Sequence, residues 1–298
     1  MISRQTESRS ARLRALMKAG TVAMPGAFNA ATALLAERAG FEALYISGAG
    51  IANGVAGVPD IGLLTMDEVV RQAGYIAVAV RLPCLCDADT GFGEPLNVYR
   101  TVQAFERAGV AGVHIEDQQA PKRCGHLSGK TLIAPDHMAE KVSAAAEARR
   151  DPDFLIVART DARGVTGFDD AVARAHAYLR AGADAIFPEA LSSREEFAEF
   201  ARQVKAPLLA NMTEFGKSPY LSVDDFAALG YALVIFPMTA FRVAMKAVEQ
   251  AYAELKATGS QRGGLDRMQT RQELYDLVRY RDYEALDRRV GGYKTGDA

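Results

Sequence analysis

The chain has 298 residues, of which 49% are apolar, and a formal net charge of −2. This near balance of charges lacks the basic excess of a nucleic-acid-binding surface, and no apolar run approaches the ~18 residues of a membrane-spanning helix. Three cysteines are too few for a disulfide framework and fit a reducing cytoplasm. The length suits one large α/β domain with an ample core.

Residues 1–20 predict an ordinary first helix, because Leu13, Leu16 and Met17 recur at helical spacing among basic residues. Transit peptides share this character. Here, however, the pattern runs directly into the next apolar run, and no secretory h-region is present.

Short apolar runs then alternate with longer helical patterns along most of the chain. The runs lack polar alternation, as expected of strands that are buried on both faces of a parallel sheet. The predicted strands are Val22–Met24, Ala43–Ile46, Cys84–Asp87, Gly112–Ile115, Leu155–Ala158, Ala185–Phe187, Leu208–Asn211 and Leu233–Phe236. Cys84 and Cys86 fall in one of these runs and are expected to be core residues rather than half of a metal site.

The intervening segments predict eight helices. They are Ala30–Ala39, Thr65–Val80, Pro95–Ala108, Pro135–Arg149, Asp169–Ala181, Arg194–Val204, Val223–Leu229 and Ala240–Lys256. Ser222 and Asp169 are candidate N-caps, and glycine follows four of the helices where a helix must end. Eight strand–helix units predict a closed (β/α)8 TIM-type barrel. An open doubly wound sheet is less favoured because no GxGxxG follows the first strand.

A helical tail is expected beyond the eighth helix. Gly263 and Gly264 mark a break, and Asp266–Arg289 predicts one or two further helices. We therefore predict a single domain over residues 1–298, with an N-terminal helix at 1–20, the barrel at 21–257 and the tail at 258–298. The tail is available to cover a site or to contact a neighbouring subunit.

Charged and polar residues accumulate where the predicted strands end, which is the reactive face of a parallel barrel. Asp87 and Asp89 share one face of their strand, and Glu116 ends the next strand. Hard carboxylate oxygens without paired histidines suit Mg²⁺ or Mn²⁺ better than zinc. The alternative is a set of solvated acids at a loop start.

Arg159 ends the fifth strand, and its planar guanidinium suits a substrate carboxylate. A salt bridge to Glu189 or Glu116 is the alternative, and both roles are compatible. The loop Ser47–Gly50 follows the second strand and offers backbone N–H groups to an anion.

The segment Lys122–His126 places Cys124 between basic residues, a setting that favours a thiolate. The alternative is a basic surface loop with an incidental cysteine. The surrounding span 118–134 has no clear regular structure, and a loop of that length is often an active-site lid. His114 is expected to be a core residue, and His137 and His176 surface residues.

Six motifs together resemble the isocitrate lyase/phosphoenolpyruvate mutase superfamily over essentially the whole chain. They are Asp87–Gly93, His114–Gln118, Lys122–His126, Arg159–Asp161, Phe187–Glu189 and Asn211–Glu214. The resemblance implies a (β/α)8 barrel whose eighth helix is swapped with a neighbour in a homotetramer. It also implies Mg²⁺-dependent cleavage of (2S,3R)-2-methylisocitrate to pyruvate and succinate.

The resemblance also assigns roles to residues. The implied metal ligands are Asp87 and Asp89, with Asp60 and Glu116 in the outer shell. The implied substrate contacts are Ser47, Gly48, Ala49, Cys124, Gly125, Arg159, Glu189, Asn211, Met212, Thr213, Arg242 and Arg271. Ala49 departs from the glycine that is common in relatives, which matters little if the contact uses its backbone N–H.

Cleavage of this substrate releases a carbanion that needs a proton, and Cys124 is the expected donor. Lys122, Arg123 and His126 are expected to stabilise its thiolate, and Tyr45 is the candidate base for the substrate hydroxyl. Sister lyases acting on isocitrate or 2,3-dimethylmalate remain open, since one methyl group is worth only ~1–3 kcal/mol of discrimination. A decarboxylase, a phosphonate hydrolase and a non-catalytic barrel are less favoured alternatives.

Overall fold

The computed structural model describes residues 8–123, 125 and 129–291. Eight parallel strands pair in the order β6-β5-β4-β3-β2-β1-β8-β7, and a bridge between Ile186 and Leu208 brings β6 against the strand that follows it. The sheet is thereby a nearly closed barrel. The strands are β1 Val22–Ala27, β2 Leu44–Ile46, β3 Cys84–Asp87, β4 Gly112–Glu116, β5 Leu155–Thr160, β6 Ala185–Pro188, β7 Leu209–Asn211 and β8 Leu233–Phe236.

Helices connect the strands and extend the chain at both ends. They are α1 Arg9–Ala19, α2 Ala30–Arg38, α3 Gly48–Ile51, α4 Met66–Ala79, α5 Pro95–Arg107, α6 Pro135–Ala148, α7 Phe168–Arg180, α8 Arg194–Gln203, α9 Val223–Leu229, α10 Thr239–Thr258, α11 Arg271–Leu277 and α12 Tyr280–Gly291. Shorter helical turns span Ala52–Ala56, Ala162–Gly164 and Arg262–Arg267. None of the helices among the described residues is long and apolar enough to cross a membrane.

The predicted (β/α)8 TIM-type barrel with a helical extension is confirmed, and each of the eight predicted strands overlaps an observed one. The strand ends differ most from the prediction: β1 continues three residues farther, to Ala27, and β5 continues through Arg159 to Thr160. At the end of β5 the polar residues are buried and still pair with the neighbouring strands. An apolar pattern stops too early there, because it marks apolar side chains and not hydrogen bonding.

Glycine ends several helices as expected. Gly40, Gly109, Gly182 and Gly230 follow α2, α5, α7 and α9 and have φ between 81° and 109°, a region that only glycine adopts readily. Ser222 caps α9. The predicted cap at Asp169 is wrong: α7 begins one residue earlier, so Asp169 lies in its first turn, where a negative charge favours the helix dipole.

The short helix α3 was not predicted from the sequence. Its first residues alternate glycine and alanine, and glycine has a low helix propensity. A Cβ at Gly50 would lie 2.9 Å from the Cβ of Phe28, and one at Gly48 would lie 2.7 Å from Asp87 Oδ2. These glycines are required by packing against distant residues, a constraint that a local pattern does not contain.

The barrel interior is filled by side chains that point inward from the strands. Met24, Tyr45, Leu155 and Phe187 belong to this inner cluster, and Leu13 of α1 packs against it. Cys84 and Cys86 are buried free thiols of the outer cluster between strands and helices, as expected of core residues.

The chain forms two compact units, Met1–Phe241 and Arg242–Ala298. The first contains α1 and the whole barrel. The second contains most of α10, then α11 and α12. Within the second unit Arg267 is ion-paired with Glu254, which ties the turn after α10 back to that helix.

Candidate active site

Two carboxylates pair with one ammonium at the carboxyl end of the barrel, and a third lies beside them. Lys122 Nζ lies 2.8 Å from Asp89 Oδ1 and is ion-paired with Asp60. Asp87 Oδ1 accepts a hydrogen bond of 3.0 Å from the backbone N–H of Asp89. The predicted grouping of Asp60, Asp87 and Asp89 is therefore present, and Lys122 is its cation.

Local backbone geometry places these acids. Asp87 is the last residue of β3, and Asp89 adopts a left-handed conformation with φ 47°. That conformation is strained for a residue with a Cβ and is common at functional turns. Gly48, at the start of α3, leaves the space in which the Asp87 carboxylate lies.

Burial dominates the electrostatics of this group. It raises the pKa of both Asp87 and Asp89, and the Lys122 charge offsets this only in part. Burial also works against the Lys122 ammonium, but Asp89 and Asp60 outweigh it and raise the pKa of Lys122 well above its ordinary value. The cluster thus holds negative charge in a dry site and depends on a cation.

Glu116 ends β4 beside this cluster and is almost completely buried. Its Oε2 lies 3.1 Å from Arg159 Nη1. Its Oε1 has no hydrogen-bond partner within the described part of the chain. Because it has no such partner, Oε1 is available to a ligand. Burial also raises the pKa of Glu116 well above its ordinary range.

Arg159 links the acids on both sides of the barrel mouth. Its Nε lies 2.9 Å from Asp161 Oδ2, and its Nη1 lies 3.4 Å from Glu189 Oε2. The guanidinium carbon also lies 5.1 Å from the centre of the Phe187 ring. Both salt bridges that were considered as alternatives to a substrate contact, to Glu116 and Glu189, are present.

The seventh strand adds an amide to the same group. Asn211 Nδ2 donates to Glu189 Oε2 at 3.3 Å, and Asn211 Oδ1 accepts from the N–H of Thr213 at 3.0 Å. Met212 is buried between them in sequence. On the other side of the barrel, Ser47 caps α3 by accepting from Gly50 N at 3.0 Å.

The span 118–134, called the cysteine loop below, reaches this site through several of its described residues. Gly125 is buried, and a Cβ there would lie 2.7 Å from the carboxyl carbon of Glu189 and closer still to Arg159. Gln118 pairs with the backbone N–H and C=O of Arg123, each at 2.8 Å. Arg123 itself is exposed. Cys124 and His126 lie outside the described residues, so their roles stay predictions.

Lys130 is a buried residue of this loop that the sequence analysis did not identify. Its Nζ lies 2.7 Å from Asp161 Oδ1 and donates to the carbonyl of Gly125. A basic residue inside a predicted lid is a weak signal, because only the folded loop brings it to the end of β5.

Tyr45 lies inside the barrel, with its hydroxyl 2.8 Å from His114 Nε2 and the two rings stacked. Burial, followed by the charge of Asp87, raises the pKa of Tyr45 well above 10. These facts disfavour an ionised Tyr45 at neutral pH and suit a hydrogen-bond donor better than a base. His114 is a fully buried interior residue, as predicted.

The remaining predicted residues lie on helices. Arg242 lies in α10 and Arg271 begins α11, both in the second unit. His137, in α6, lies 2.6 Å from Glu94 Oε2, and His176 is half-buried in α7.

Comparison with known proteins gives a consistent result. Residues 13–256 match the family model described as phosphoenolpyruvate phosphomutase. The chain is 58% identical to the 2-methylisocitrate lyase of Aeropyrum pernix, over 92% of this chain and 88% of that protein. It is 49% identical to the 2-methylisocitrate lyase of Bacillus subtilis, over 95% and 94% of the two chains.

Solved structures with the same fold have diverse activities. The chain superposes on 2,3-dimethylmalate lyase with a TM-score of 0.90 at 36% identity, covering 96% of this chain and 97% of that one. Phosphonopyruvate hydrolase in complex with oxalate and Mg²⁺ gives 0.86 at 31% identity, covering 95% and 99%. The fold alone therefore does not decide the reaction.

Proposed function

Because the chain belongs to the phosphoenolpyruvate phosphomutase family, we propose that it cleaves (2S,3R)-2-methylisocitrate to pyruvate and succinate in the methylcitrate cycle of propionate catabolism. Its high identity to several 2-methylisocitrate lyases makes it a carbon–carbon lyase. The observation that carries the substrate proposal is the convergence of Arg159, Glu189 and Asn211 beside the carboxylates around Lys122.

The acid cluster fits a divalent cation. Asp87 and Asp89 would bind it, with Asp60 and Glu116 in the outer shell, and the all-oxygen donors suit Mg²⁺, or Mn²⁺ in its place, better than zinc. The buried, unpartnered Glu116 Oε1 is the feature that supports this most directly. Bound Mg²⁺ would supply positive charge beside the substrate alkoxide oxygen that becomes the keto oxygen of pyruvate. Among the described residues, Lys122 is the cation that approaches these acids most closely.

Substrate carboxylates and hydroxyls would be held by residues on several strands. Arg159 provides a charged fork, and Asn211 with Thr213 provides neutral donors on the opposite side. Gly48 and Ala49 would contribute backbone N–H groups and Ser47 its hydroxyl, because the Ser47 N–H already donates to the Ala27 carbonyl. The remaining proposed contacts are Glu189, Met212, Gly125, Arg242 and Arg271.

Cys124 would act as the general acid. Bond cleavage leaves two electrons on carbon, and transfer of the thiol proton to that carbon gives succinate and a thiolate. Positive charge from Lys122, Arg123 and His126 would stabilise this thiolate. Gly125, the next residue, lies against Arg159 and Glu189, so a donor from this loop is delivered to the bound substrate.

The substrate hydroxyl must also lose a proton. Tyr45 is our candidate base, but its raised pKa makes the phenolate costly. Its contact with His114 also allows a different role, in which Tyr45 donates a hydrogen bond to the substrate oxygen after deprotonation by another group.

We also propose a homotetramer. Every residue of α10 is described, and none of them is buried, although Met245, Val248, Tyr252 and Leu255 recur at helical spacing along one face of the helix. An apolar helix face of this kind suits the swapped eighth helix that the family resemblance implies, within a single barrel domain with a helical tail. Light scattering coupled to gel filtration would give four times the 32.1 kDa chain mass, whereas a monomer would contradict the proposal.

The function is tested by release of the 2-oxo acid, which is pyruvate from 2-methylisocitrate and 2,3-dimethylmalate and glyoxylate from isocitrate, each with Mg²⁺ and with EDTA. We expect the highest kcat/KM with 2-methylisocitrate and no release in EDTA. A preference for 2,3-dimethylmalate would support the lyase that one structural neighbour represents. No metal-dependent release of a 2-oxo acid from any of the three would overturn the proposal.

A further inference from the structure

Lys130 connects the cysteine loop to the barrel through two contacts. Its Nζ donates to the backbone carbonyl of Gly125 and lies 2.7 Å from Asp161 Oδ1. The side chains of Lys130 and Asp161 are 1% and 0% exposed. Burying an ammonium is costly unless it is paired and hydrogen-bonded, and here both conditions are met by one strand residue and one loop carbonyl.

The strand residue in this pair also holds the arginine of the site. Asp161 accepts from Arg159 Nε at 2.9 Å and from Nη2 at 3.2 Å. Its own backbone N–H donates to Asp117 at 2.9 Å. Lys130 therefore joins the loop to a carboxylate whose position is already fixed and that itself orients Arg159.

The loop side of the contact is equally constrained. A Cβ at Gly125 would clash with both Arg159 and Glu189, so the backbone at this residue rests directly on the site. A shift of the Gly125 carbonyl away from Lys130 would open that contact. Gly125 directly follows the proposed proton donor in the sequence, and the donor itself lies outside the described residues.

We propose that Lys130 is a positioning residue that holds Gly125, and with it the cysteine loop, against Arg159 and Glu189. The effect on turnover rests on the proposed lyase function, whereas the anchoring of the loop does not. Lys130 touches neither substrate nor metal in this scheme and acts only through Gly125 and Asp161.

The variants Lys130→Met and Lys130→Gln remove the charge, and Lys130→Arg keeps it. Lys141→Met is the matched control, because Lys141 is also buried and donates to a backbone carbonyl, that of Thr90, at 2.7 Å. Thermal melting checks that each variant folds.

The first readout is trypsin cleavage after the exposed Arg123, mapped by mass spectrometry on the folded protein. We expect cleavage to be roughly tenfold faster or more in Lys130→Met and Lys130→Gln, because a charge-assisted contact no longer opposes local opening. Lys130→Arg should restore part of the protection, and Lys141→Met should match wild type. Equal cleavage in all folded variants, or the same rise in Lys141→Met, would overturn the proposal.

The second readout is steady-state pyruvate release from 2-methylisocitrate. We expect kcat to fall by roughly 10²-fold in Lys130→Met, with KM changing less, because a small displacement of a catalytic group costs about that much. Unchanged kcat in a variant whose loop is cleaved faster would contradict the positioning role. If wild type releases no pyruvate, the proposed function fails, and the trypsin result still decides whether Lys130 anchors the loop.

Discussion

Glu116 and Asp117 are neighbours in the sequence, yet their carboxylates lie in opposite kinds of environment. Asp117 accepts hydrogen bonds from Thr160 Oγ1 and Tyr178 OH at 2.8 Å and from the N–H of Asp161 at 2.9 Å. Glu116 has one charged partner, and its Oε1 has none among the described residues. Both carboxylates are buried, but only that of Asp117 has hydrogen-bond partners on both oxygens among the described residues.

The difference extends to the groups around them. Arg174 approaches Asp117 at 3.3 Å. Asp117 and the protein groups bonded to it are called the Asp117 group below, and this group is completed by the protein itself. Around Glu116, the acids at the barrel mouth outnumber the cations that face them. A buried carboxylate with a full set of protein donors stabilises the fold, whereas an incompletely matched group is ready for a ligand.

The largest expected effect is on kcat and comes from the proposed active site around Glu116. Cys124→Ser should lower kcat by ~10²–10⁴-fold, the usual contribution of a general acid, while Mg²⁺ binding is retained. Stopped pyruvate assays and calorimetry measure the two quantities. Cys84→Ala is the control, because Cys84 is a buried core thiol and its loss should leave kcat unchanged. Normal turnover in Cys124→Ser would remove Cys124 from the mechanism.

Asp87→Asn should weaken Mg²⁺ binding by at least ~10-fold, since it removes a charged oxygen ligand. Without metal, the variant should be as stable as wild type or more stable, because burial already disfavours the ionised Asp87 and raises its pKa. Calorimetric titration and urea unfolding in EDTA measure both effects. Unchanged affinity would place the metal elsewhere.

Asp117→Asn should destabilise the protein by about 2 kcal/mol, because the amide cannot accept from all the donors that surround this carboxylate. Per folded molecule, kcat should be close to that of wild type. Urea unfolding with parallel assays of pyruvate release provides the test. A stable variant with a low kcat would show that the Asp117 group is not merely structural.

The stability of the fold should also depend on pH through His114. Burial, with Arg159, lowers the pKa of His114 from 6.5 in the unfolded chain to about 3. Between these values the unfolded chain binds a proton that the folded chain does not, so acidification lowers the free energy of unfolding by about 1.4 kcal/mol per pH unit. Urea unfolding in EDTA from pH 6.5 to 5 should show a loss of stability on acidification that is larger in wild type than in His114→Gln by up to this amount, because the buried acids are present in both proteins. An identical slope in both proteins would contradict the assignment.

The fold was largely predictable because both faces of most strands are buried, which leaves continuous apolar runs such as residues 84–86 and Leu233–Phe236. The glycines that follow helices were equally predictable, since few residues other than glycine adopt the left-handed conformation readily. The helix α3 was not predicted, because Gly48 and Gly50 are selected by contacts with Asp87 and Phe28 that no local pattern reveals.

The site was predictable in part. Asp87, Glu116 and Arg159 end neighbouring strands, so the topology brings them together. The partners of the loop residues were not predictable: Lys122 was expected beside the cysteine and lies among the acids. Lys130 gains its meaning only when the loop folds onto Asp161.

The most direct test of the contrast between the two carboxylates is a paired measurement on Glu116→Gln and Asp117→Asn, each an isosteric loss of one charge. We predict that Glu116→Gln loses more than ~10-fold in Mg²⁺-dependent pyruvate release from 2-methylisocitrate and melts at or above the wild-type temperature. Asp117→Asn should show the reverse, with kcat retained and a lower melting temperature. Full activity in Glu116→Gln together with a loss of stability would contradict the account, in which Glu116 is ready to bind a ligand and Asp117 is structural.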